Sequence, residues 1–417
     1  MADAAVAAQP VAVVVDAGLE TPAYVYDLAE VRANTTRLRA ALPQDTGLYY
    51  SLKANPHPAV LTVLRAAGVA AEVCSPGELT AALAAGWPAD AVLYTGPGKR
   101  DQDVTAALAA GVREFCVDSP AGLDQLDRLA AGAGVSVRTL LRLNDDLPAA
   151  RQGLAMTGVP SQFGADTSWV AEQPLLFGDR PNVRVHGLHL YMGTNITSVE
   201  DLVAQFEQSA RTAAEMSAAL APYVAGIDVV DLGGGFGAPF AAAGPALELT
   251  GLAGPLTALL DVHLPGWRTG SPRVVFESGR YLVGTAGTLV TKVLDVKRSH
   301  GRDVVVLESG INHLGGMSGL VRLPRLNPTL AVPRTGAQAG SEPAIVTGPL
   351  CTPLDCWSRS APLPPVRPGD VLAVPNVGAY GLYASLIAFL GHPAPLEVAV
   401  DGGELTHVSR LELTRKE

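Results

Sequence analysis

Short runs of β-branched and other apolar residues recur along the first 280 residues of the chain. Each run is separated from the next by an alanine- and leucine-rich segment. Segments such as Glu78–Ala85 and Leu202–Leu220 contain strong helix formers with apolar residues at helical spacing. The pattern therefore predicts strands and helices in alternation. The eight predicted strands are Leu48–Leu52, Val69–Cys74, Ala91–Thr95, Glu114–Val117, Val137–Leu143, Val183–Met192, Ile227–Leu232 and Val274–Phe276.

Eight strand–helix alternations within about 250 residues favour a (β/α)8 TIM-like barrel in an α/β protein. The strand count alone leaves a doubly wound open sheet possible. After Arg280 the helical windows become rare, and strands separated by turns predict a mainly antiparallel β-domain. Those strands are Thr288–Val296, Asp303–Leu307, Ala344–Thr347, Val371–Pro375 and Leu396–Val400. The segment Thr21–Tyr26 is predicted to pair into this β-domain. We therefore predict a barrel over residues 28–280 and a β-domain from residues 1–27 and 281–417.

Composition narrows the classes of partner without identifying a function. The net charge of −10 over 417 residues argues against a nucleic-acid-binding surface. No apolar run is long enough to span a bilayer, and the N-terminus lacks the basic residues of a secretory signal. The four cysteines show neither CxxC nor zinc-site spacing. We expect a cytoplasmic protein with reduced cysteines, no bound metal and no membrane or nucleic-acid partner.

One lysine stands at the end of the first predicted strand, where turn residues begin. Lys53 follows the apolar run from Tyr49 to Leu52 and is one of only five lysines among 30 basic residues. An amine condenses with a carbonyl group, whereas a guanidinium does not. Lys53 is therefore a candidate for covalent attachment of a carbonyl compound. On position alone, a solvated lysine at a strand end is favoured, because isolated lysines are mostly surface residues.

Two motifs follow the seventh and eighth predicted strands, where barrels often bind phosphate. Gly233, Gly234 and Gly235 let backbone N–H groups approach an anion closely, although a glycine cluster also serves as a simple tight turn. In the sequence Glu277-Ser278-Gly279-Arg280, the arginine adds a forked cation and the glutamate suits a protonated ring nitrogen. An ordinary ion pair of Glu277 with Arg280 or another base is the alternative. Together with Lys53, these groups predict a site for pyridoxal 5′-phosphate.

The C-terminal domain contributes a second group of candidates. Cys351 lies between two prolines with Asp355 four residues further on, and it is either a positioned proton donor or a buried structural cysteine. Tyr380, in a glycine-bounded turn, is either a phosphate ligand or a packed aromatic. Arg322 and Arg325 are candidates for binding a substrate carboxylate or an acidic carrier helix, and solvation explains them as well.

The combined motifs resemble the alanine-racemase-like pyridoxal-phosphate decarboxylases, the group that contains diaminopimelate, ornithine and arginine decarboxylases. The resemblance extends from about Thr21 to the C-terminus. It implies that Lys53 carries the cofactor, that Glu277 binds the pyridinium nitrogen and that Cys351 protonates Cα after loss of CO2. It also implies a homodimer with shared active sites, in which the cysteine motif reaches the partner's barrel. The implied cofactor contacts are Lys53, Tyr191, Thr194, Gly233, Gly234, Gly235, Glu277, Gly279, Arg280 and Tyr380.

Three departures from the family pattern bear on the substrate. Tyr191 occupies the place of the histidine that stacks on the cofactor, with Thr194 in place of a serine. Thr352, a neutral residue, follows the cysteine where diamine-forming members have an acid. Glu308 stands in place of an aspartate. We therefore predict substrate contacts from Glu308, Arg322, Thr352 and Asp355.

These departures argue against free ornithine, lysine or diaminopimelate as the substrate. The C-terminal motifs look closest to decarboxylases of conjugated amino acids, such as the butirosin-type enzyme acting on carrier-bound glutamate and the siderophore-pathway decarboxylases. We predict a carboxy-lyase that removes the α-carboxylate of an amino acid or amino-acid conjugate in a biosynthetic pathway. The alternatives are a diaminopimelate or basic amino-acid decarboxylase, a racemase or epimerase, and a non-catalytic cofactor carrier.

Overall fold

A computed structural model describes residues 2–147, 157–315, 326–333 and 342–415. The strands of these residues, in chain order, are β1 (Ala23–Asp27), β2 (Gly47–Ser51), β3 (Ala70–Val73), β4 (Val92–Tyr94), β5 (Glu114–Val117), β6 (Val137–Asn144), β7 (Ala165–Asp166), β8 (Val183–Leu190), β9 (Val229–Asp231), β10 (Arg273–Ser278), β11 (Gly287–Ser299), β12 (Arg302–Leu307), β13 (Ala344–Thr347), β14 (Cys356–Ala361), β15 (Val371–Val374), β16 (Leu396–Asp401) and β17 (Glu404–Arg410).

The α-helices alternate with the strands of the first part of the chain. They are α1 (Ala2–Asp16), α2 (Leu28–Ala41), α3 (Pro58–Ala66), α4 (Pro76–Ala84), α5 (Asp101–Ala109), α6 (Pro120–Ala133), α7 (Thr167–Glu172), α8 (Val199–Leu220), α9 (Ala253–His263) and α10 (Arg280–Val283). None of the helices in the described part of the chain has both the length and the apolar character needed to cross a membrane.

The chain divides into two compact units. One, the barrel unit, comprises Arg32–Gly237 and Leu247–Leu282. The other, the β-unit, comprises Met1–Val31, Ala238–Ala246 and Val283–Glu417.

The barrel unit is a closed parallel barrel of eight strands. The strand order is β2-β3-β4-β5-β6-β8-β9-β10, and β10 pairs back onto β2 with Glu277 opposite Tyr49. Each of the eight strands overlaps a strand predicted from the sequence, so the predicted barrel is confirmed. The open-sheet alternative is wrong because the β5–β6 and β10–β2 pairings close the sheet.

Serine–proline pairs determine where two of the barrel helices begin. The Ser75 hydroxyl accepts the backbone N–H of Glu78 at 3.2 Å, and Pro76 opens α4. Ser119 accepts the N–H of Gly122 at 3.1 Å in the same way at the start of α6. A serine cap satisfies a free N–H of the first turn, and proline at the first helical position needs no N–H partner. These caps end the loops that follow β3 and β5.

The barrel interior is built in layers. The side chains of Tyr49, Leu93, Cys116, Leu140, Val229 and Val275 form a buried cluster, with Ala70 packed against it. Side chains two residues apart on a strand point to the same face. The residues two positions further along these strands therefore also point into the barrel. Those that follow the six cluster residues are Ser51, Thr95, Asp118, Arg142, Asp231 and Glu277, and Glu72 follows Ala70. A polar layer thus lies directly above the apolar one, toward the C-terminal ends of the strands.

The β-unit consists of a sheet with the order β14-β13-β12-β11-β1-β16-β17, and β15 also pairs with β11. Most of its pairings are antiparallel, as predicted; β1–β16 and β12–β13 are parallel. The predicted strand at Thr21–Tyr26 is found as β1 between β11 and β16. Strands β14 and β17 were not predicted, because their sequences are polar and show no apolar run.

Candidate active site

Lys53 lies in the turn that follows β2. Residues Leu52–Ala54 form a single 3-10 turn in which the two neighbours of Lys53 are buried. The Lys53 side chain is 42% exposed, and its Nζ lies 3.8 Å from Glu72 Oε1 and 5.9 Å from the centre of the Tyr191 ring. The turn thus fixes the backbone and leaves the amine accessible at the C-terminal end of the barrel.

The carboxylate of Glu72 is buried on β3 next to this amine. Thr95 Oγ1 donates a hydrogen bond to Glu72 Oε1 at 2.6 Å, and Cys74 Sγ lies 3.4 Å from the same oxygen. Burial raises the pKa of Glu72, but the charge of Lys53 and hydrogen bonds from Ser51 and Thr95 outweigh it and lower this pKa to about 2. Glu72 is therefore ionised and partners the Lys53 ammonium.

The glycine loop after β9 is packed too closely to accept side chains. A Cβ on Gly233 would lie 2.5 Å from the Leu190 carbonyl oxygen, and one on Gly234 would lie 2.4 Å from that of Glu277. Gly235 has φ +108° and would place a Cβ 2.9 Å from the Gly193 carbonyl oxygen. Glycine is therefore required at all three positions. The loop is held from below by Gln205, whose Nε2 donates to the Gly234 carbonyl at 2.8 Å.

Three buried ionisable groups lie together in the polar layer of the barrel. One ligand-type atom from each of His189, Asp231 and Glu277 lies within 4.8 Å of the other two. His189 Nε2 is 3.4 Å from Glu277 Oε1, and the Gly233 N–H donates to Asp231 Oδ1 at 2.8 Å. Glu277 Oε1, His189 Nε2 and Asp231 Oδ2 are buried, and none of them has a hydrogen-bond partner among the described residues. Unpaired buried polar atoms of this kind point to a ligand.

The pKa values of the two acids in this cluster, Asp231 and Glu277, are raised. Burial raises the pKa of Asp231 to about 7. Burial, with the charges of Glu72 and Asp231, raises the pKa of Glu277 well above its usual range. The cluster therefore favours a positively charged or N–H-bearing group placed against it.

Tyr191, Thr194, Gly279 and Arg280 lie on the segments around the glycine loop. The Tyr191 ring packs on Gly233, where an added Cβ would meet its Cδ2 at 2.9 Å. Thr194 is half-buried in the loop after β8. Gly279 lies against the lysine turn, with the Ala54 methyl 2.9 Å from the position of an added Cβ. Arg280 begins α10 directly after it. The barrel unit therefore brings together the lysine, the glycine loop and the Glu277-Ser278-Gly279-Arg280 segment.

The remaining predicted residues belong to the β-unit. Cys351 is exposed in a turn, and Thr352 Oγ1 accepts the Leu354 N–H at 3.3 Å. Glu308 Oε1 accepts the Lys292 N–H at 2.8 Å, and Tyr380 adopts a left-handed backbone with φ +57°. Arg322 and Arg325 lie outside the described residues.

Asp355 is hydrogen-bonded to the backbone around the loop that contains Cys351. Its two carboxylate oxygens accept the backbone N–H groups of Ile311 and Leu350, each at 2.8 Å. A Cβ on Gly348 would lie 2.4 Å from Asp355 Oδ2, so glycine is needed to let the carboxylate in. In this position Asp355 shapes the cysteine loop.

Asp231 and His189 are site residues that the sequence did not predict. Both stand in apolar strands that read as ordinary barrel core. The available signal was a charged residue two positions after an interior apolar one, as in Val229 and Asp231 or Val275 and Glu277. That signal is usable only once it is known which face of each strand points inward.

The sequence comparison identifies the barrel. Residues 28–284 match the family described as pyridoxal-dependent decarboxylase, pyridoxal binding domain. The chain belongs to the pyridoxal-dependent decarboxylases. It is a carboxy-lyase of the amino-acid decarboxylase type, and its cofactor is pyridoxal 5′-phosphate.

Relatives of this decarboxylase cover nearly its whole length. The L-glutamyl-[BtrI acyl-carrier protein] decarboxylase of Niallia circulans is 31% identical over 94% of this chain and 91% of its own. The diaminopimelate decarboxylase of Methanothermobacter thermautotrophicus is 31% identical over 94% of this chain and 89% of its own. The solved diaminopimelate decarboxylase of Helicobacter pylori, complexed with L-lysine, shares the fold: the TM-score is 0.79 at 24% identity, over 93% of each chain.

The residues of the barrel unit fit the cofactor. Glu277 Oε1 is buried and unpaired within the described residues, as an acceptor for a ring N–H would be. The Gly233 N–H is used by Asp231, but the glycine loop carries no side chains that would cover the N–H groups of Gly234 and Gly235. Gly234 packs against Glu277, three residues before Arg280. Lys53 presents an exposed amine beside the ionised Glu72.

Proposed function

We propose that this decarboxylase acts on an amino acid held as a conjugate, with a glutamyl group on an acyl-carrier protein as the leading candidate. The proposal rests on the cysteine loop, the segment from Gly348 to Cys356 that contains Cys351. Between Gly348 and Cys356 the only acid is Asp355, and both of its oxygens bind backbone N–H groups. The residue after Cys351 is the neutral Thr352. A substrate with a free distal ammonium would find no available carboxylate in this loop, and an unpaired buried charge is costly.

Different residues of the barrel would bind different parts of the cofactor. Lys53 would hold it covalently through its carbonyl group, and Glu277 would accept the ring N–H. The glycine loop, Thr194 and Arg280 would bind the phosphate, Gly279 would allow its close approach, and Tyr191 would stack on the ring. When bound, pyridoxal phosphate supplies an electron sink for cleavage of the bond to the α-carboxylate. Glu72 would hold the Lys53 side chain in position through the contact between their charged groups, and Cys351 Sγ would deliver a proton to Cα after loss of CO2.

Release of CO2 from a matched set of substrates tests the substrate class. The set contains L-glutamate, its pantetheine thioester, glutamyl carrier protein, meso-diaminopimelate and L-ornithine. We expect the highest kcat/KM for a thioester-linked glutamyl group. A preference for meso-diaminopimelate or ornithine would overturn the proposal, and turnover without CO2 release would indicate a racemase.

Introducing an acid after the cysteine is expected to move the preference toward basic substrates. Thr352→Asp supplies a partner for a distal ammonium, and a charge-assisted hydrogen bond of this kind changes kcat/KM by roughly tenfold. The ratio of kcat/KM for ornithine to that for the glutamyl thioester should therefore rise. Thr352→Asn, of similar shape and neutral, should leave this ratio unchanged. An equal change in both variants would show that charge is not the cause.

An exposed apolar surface beside the cysteine loop supports a homodimer. Leu354 is 77% exposed, and Phe389 and Leu390 are also exposed. The Leu386 N–H donates to Ile311, whose own N–H binds Asp355, so both segments lie on one side of the β-unit. Exposed apolar patches of this kind mark interaction sites. We propose that a second copy covers this surface and that Cys351 of one copy serves the barrel of the other.

Mixing two inactive variants tests the shared site. In a heterodimer of Lys53→Ala and Cys351→Ala, one of the two sites contains both native residues. Random mixing should therefore restore ~25% of the wild-type activity, because half of the C2 dimers are mixed and each has one intact site.

The matched control combines Lys53→Ala with Glu277→Gln. Both substitutions affect the barrel, so every site in this mixture lacks one native residue and no activity should return. Absence of recovery in the first mixture, with heterodimers verified by mass, would contradict a shared site.

A further inference from the structure

Two buried glutamate–histidine pairs lie in the barrel, and they differ in one informative respect. His186 Nε2 and Glu114 Oε1 are 2.9 Å apart, with Glu114 the first residue of β5. His189, three residues later on β8, places Nε2 3.4 Å from Glu277 Oε1 in the polar layer. His186 Nε2 and His189 Nε2 both lack a hydrogen-bond partner among the described residues, but only in the second pair does the facing carboxylate oxygen, Glu277 Oε1, lack one as well. Hydrogen bonds at catalytic sites are often long before the ligand is bound and shorten with it.

The other nitrogen of His189 is held by Cys116. Cys116 Sγ lies 3.3 Å from His189 Nδ1. Burial, with the charge of Asp118, raises the pKa of Cys116 well above its usual range, so the thiol keeps its proton and can donate it to Nδ1. Burial, with the charge of Arg142, lowers the pKa of His189 well below its usual range, so the imidazole stays neutral. When the thiol donates to Nδ1, the single ring proton is on Nε2, the atom that faces Glu277.

We propose that His189 is a positioning residue whose Nε2–H donates to the Glu277 carboxylate, fixing its orientation and keeping it ionised as the acceptor for the cofactor ring N–H. This inference rests on the cofactor role proposed above for Glu277. Without this donor, Glu277 would lie among Glu72 and Asp231 with less to offset their charges. The carboxylate would then bind a proton more tightly and compete with the ring nitrogen for it, so the ring would lose its proton at lower pH.

Other charged groups also act on His189, and the experiment has to hold them constant. They come from β3, β5, β6, β9 and β10 and from the loops after β2 and β4: Glu72, Cys116, Arg142, Asp231, Glu277, Lys53 and Lys99. Substitution at His189 alone leaves all of these groups in place. A change in the titration of the ring nitrogen is then attributable to the imidazole.

The readout is the protonation state of the cofactor ring in the holoenzyme without substrate. The ¹⁵N shift of ring-labelled pyridoxal phosphate, followed against pH, reports this state directly. In His189→Leu, which removes the donor, the cofactor ring nitrogen should lose its proton at a pH lower by about one unit, with cofactor affinity roughly tenfold weaker. The pH of half-conversion of the ¹⁵N signal should fall accordingly. His189→Gln, which retains an N–H near the Nε2 position, should restore most of both losses.

His186→Leu is the matched control, because it removes the same side chain from the same strand at similar burial. It should leave the ring titration at its wild-type position. If His186→Leu and His189→Leu shift it equally, His189 has only a structural role and the proposal is wrong. An unchanged titration in His189→Leu overturns it as well.

A second variant keeps the proposal testable if His189→Leu does not fold. Cys116→Ala removes the S–H that fixes the tautomer and should give a smaller shift in the same direction. A wild-type titration in Cys116→Ala would count against the proposal. If the wild-type protein itself takes up no pyridoxal phosphate, the cofactor assignment fails, whereas normal uptake with an unaltered titration rejects only the role of His189.

Discussion

Lys53→Arg is expected to abolish covalent attachment of the cofactor while retaining the positive charge beside Glu72. A guanidinium can occupy the position 3.8 Å from Glu72 Oε1 but does not condense with a carbonyl. Decarboxylation should fall by on the order of 10³-fold or more, the scale on which removing a covalent catalytic group acts. Borohydride reduction of the holoenzyme, followed by peptide mass spectrometry, should label Lys53 in the wild-type protein and nothing in the variant.

Lys99→Arg is the control for this experiment. Lys99 follows β4 at the same end of the barrel, so it tests whether any lysine near the site can be labelled. The Lys99→Arg protein should still be labelled at Lys53. Labelling of another lysine in Lys53→Arg, with turnover retained, would remove Lys53 from the mechanism.

Glu277→Gln is expected to lower kcat by about 10²- to 10³-fold, the loss typical of removing one preorganised electrostatic partner. The substitution preserves size and a hydrogen-bonding oxygen but removes the negative charge that favours a protonated ring. Burial and the charges of Glu72 and Asp231 raise the pKa of Glu277 well above its usual range. A raised pKa means that the ionised form is lost as the pH falls, so in the wild-type protein kcat should decline on the acid side. That acid limb should be absent from the residual activity of Glu277→Gln.

Glu114→Gln makes the same chemical change at another buried glutamate of the barrel. Glu114 contacts His186 at the first residue of β5, away from the C-terminal strand ends. It should change stability more than kcat. A kcat for Glu277→Gln equal to that of Glu114→Gln would mean that the charge at Glu277 has no special part in the reaction.

The fold was largely predictable because its signals are local. Each barrel strand is a short β-branched run, and each helix is a segment of strong helix formers, so alternation could be identified without knowing any contact. The strands missed, β14 and β17, have polar sequences and exist because β13 and β16 offer edges to pair with. Pairing of this kind is a tertiary effect that outweighs local preference.

The site was predictable only in part, and the reason is geometric. Lys53, the glycine loop and Glu277 follow or end strands, and a parallel barrel brings all strand ends to one face. His189 and Asp231 lie within strands, where sequence alone does not tell which side chains point inward. Their selection required the strand register, in which His189 lies opposite Asp231.

The sequence by itself determined the eight-stranded barrel and predicted Lys53, the glycine loop, Glu277 and Arg280 as cofactor-site residues, because these depend on local runs and on positions at strand ends. Only the tertiary structure showed that Glu277 lies next to His189 and Asp231. It also showed that both carboxylate oxygens of Asp355 accept backbone N–H groups. Both outcomes depend on which distant backbone or side-chain groups come within a few ångströms. Those distances are set by barrel closure and strand register, which no local stretch of sequence specifies.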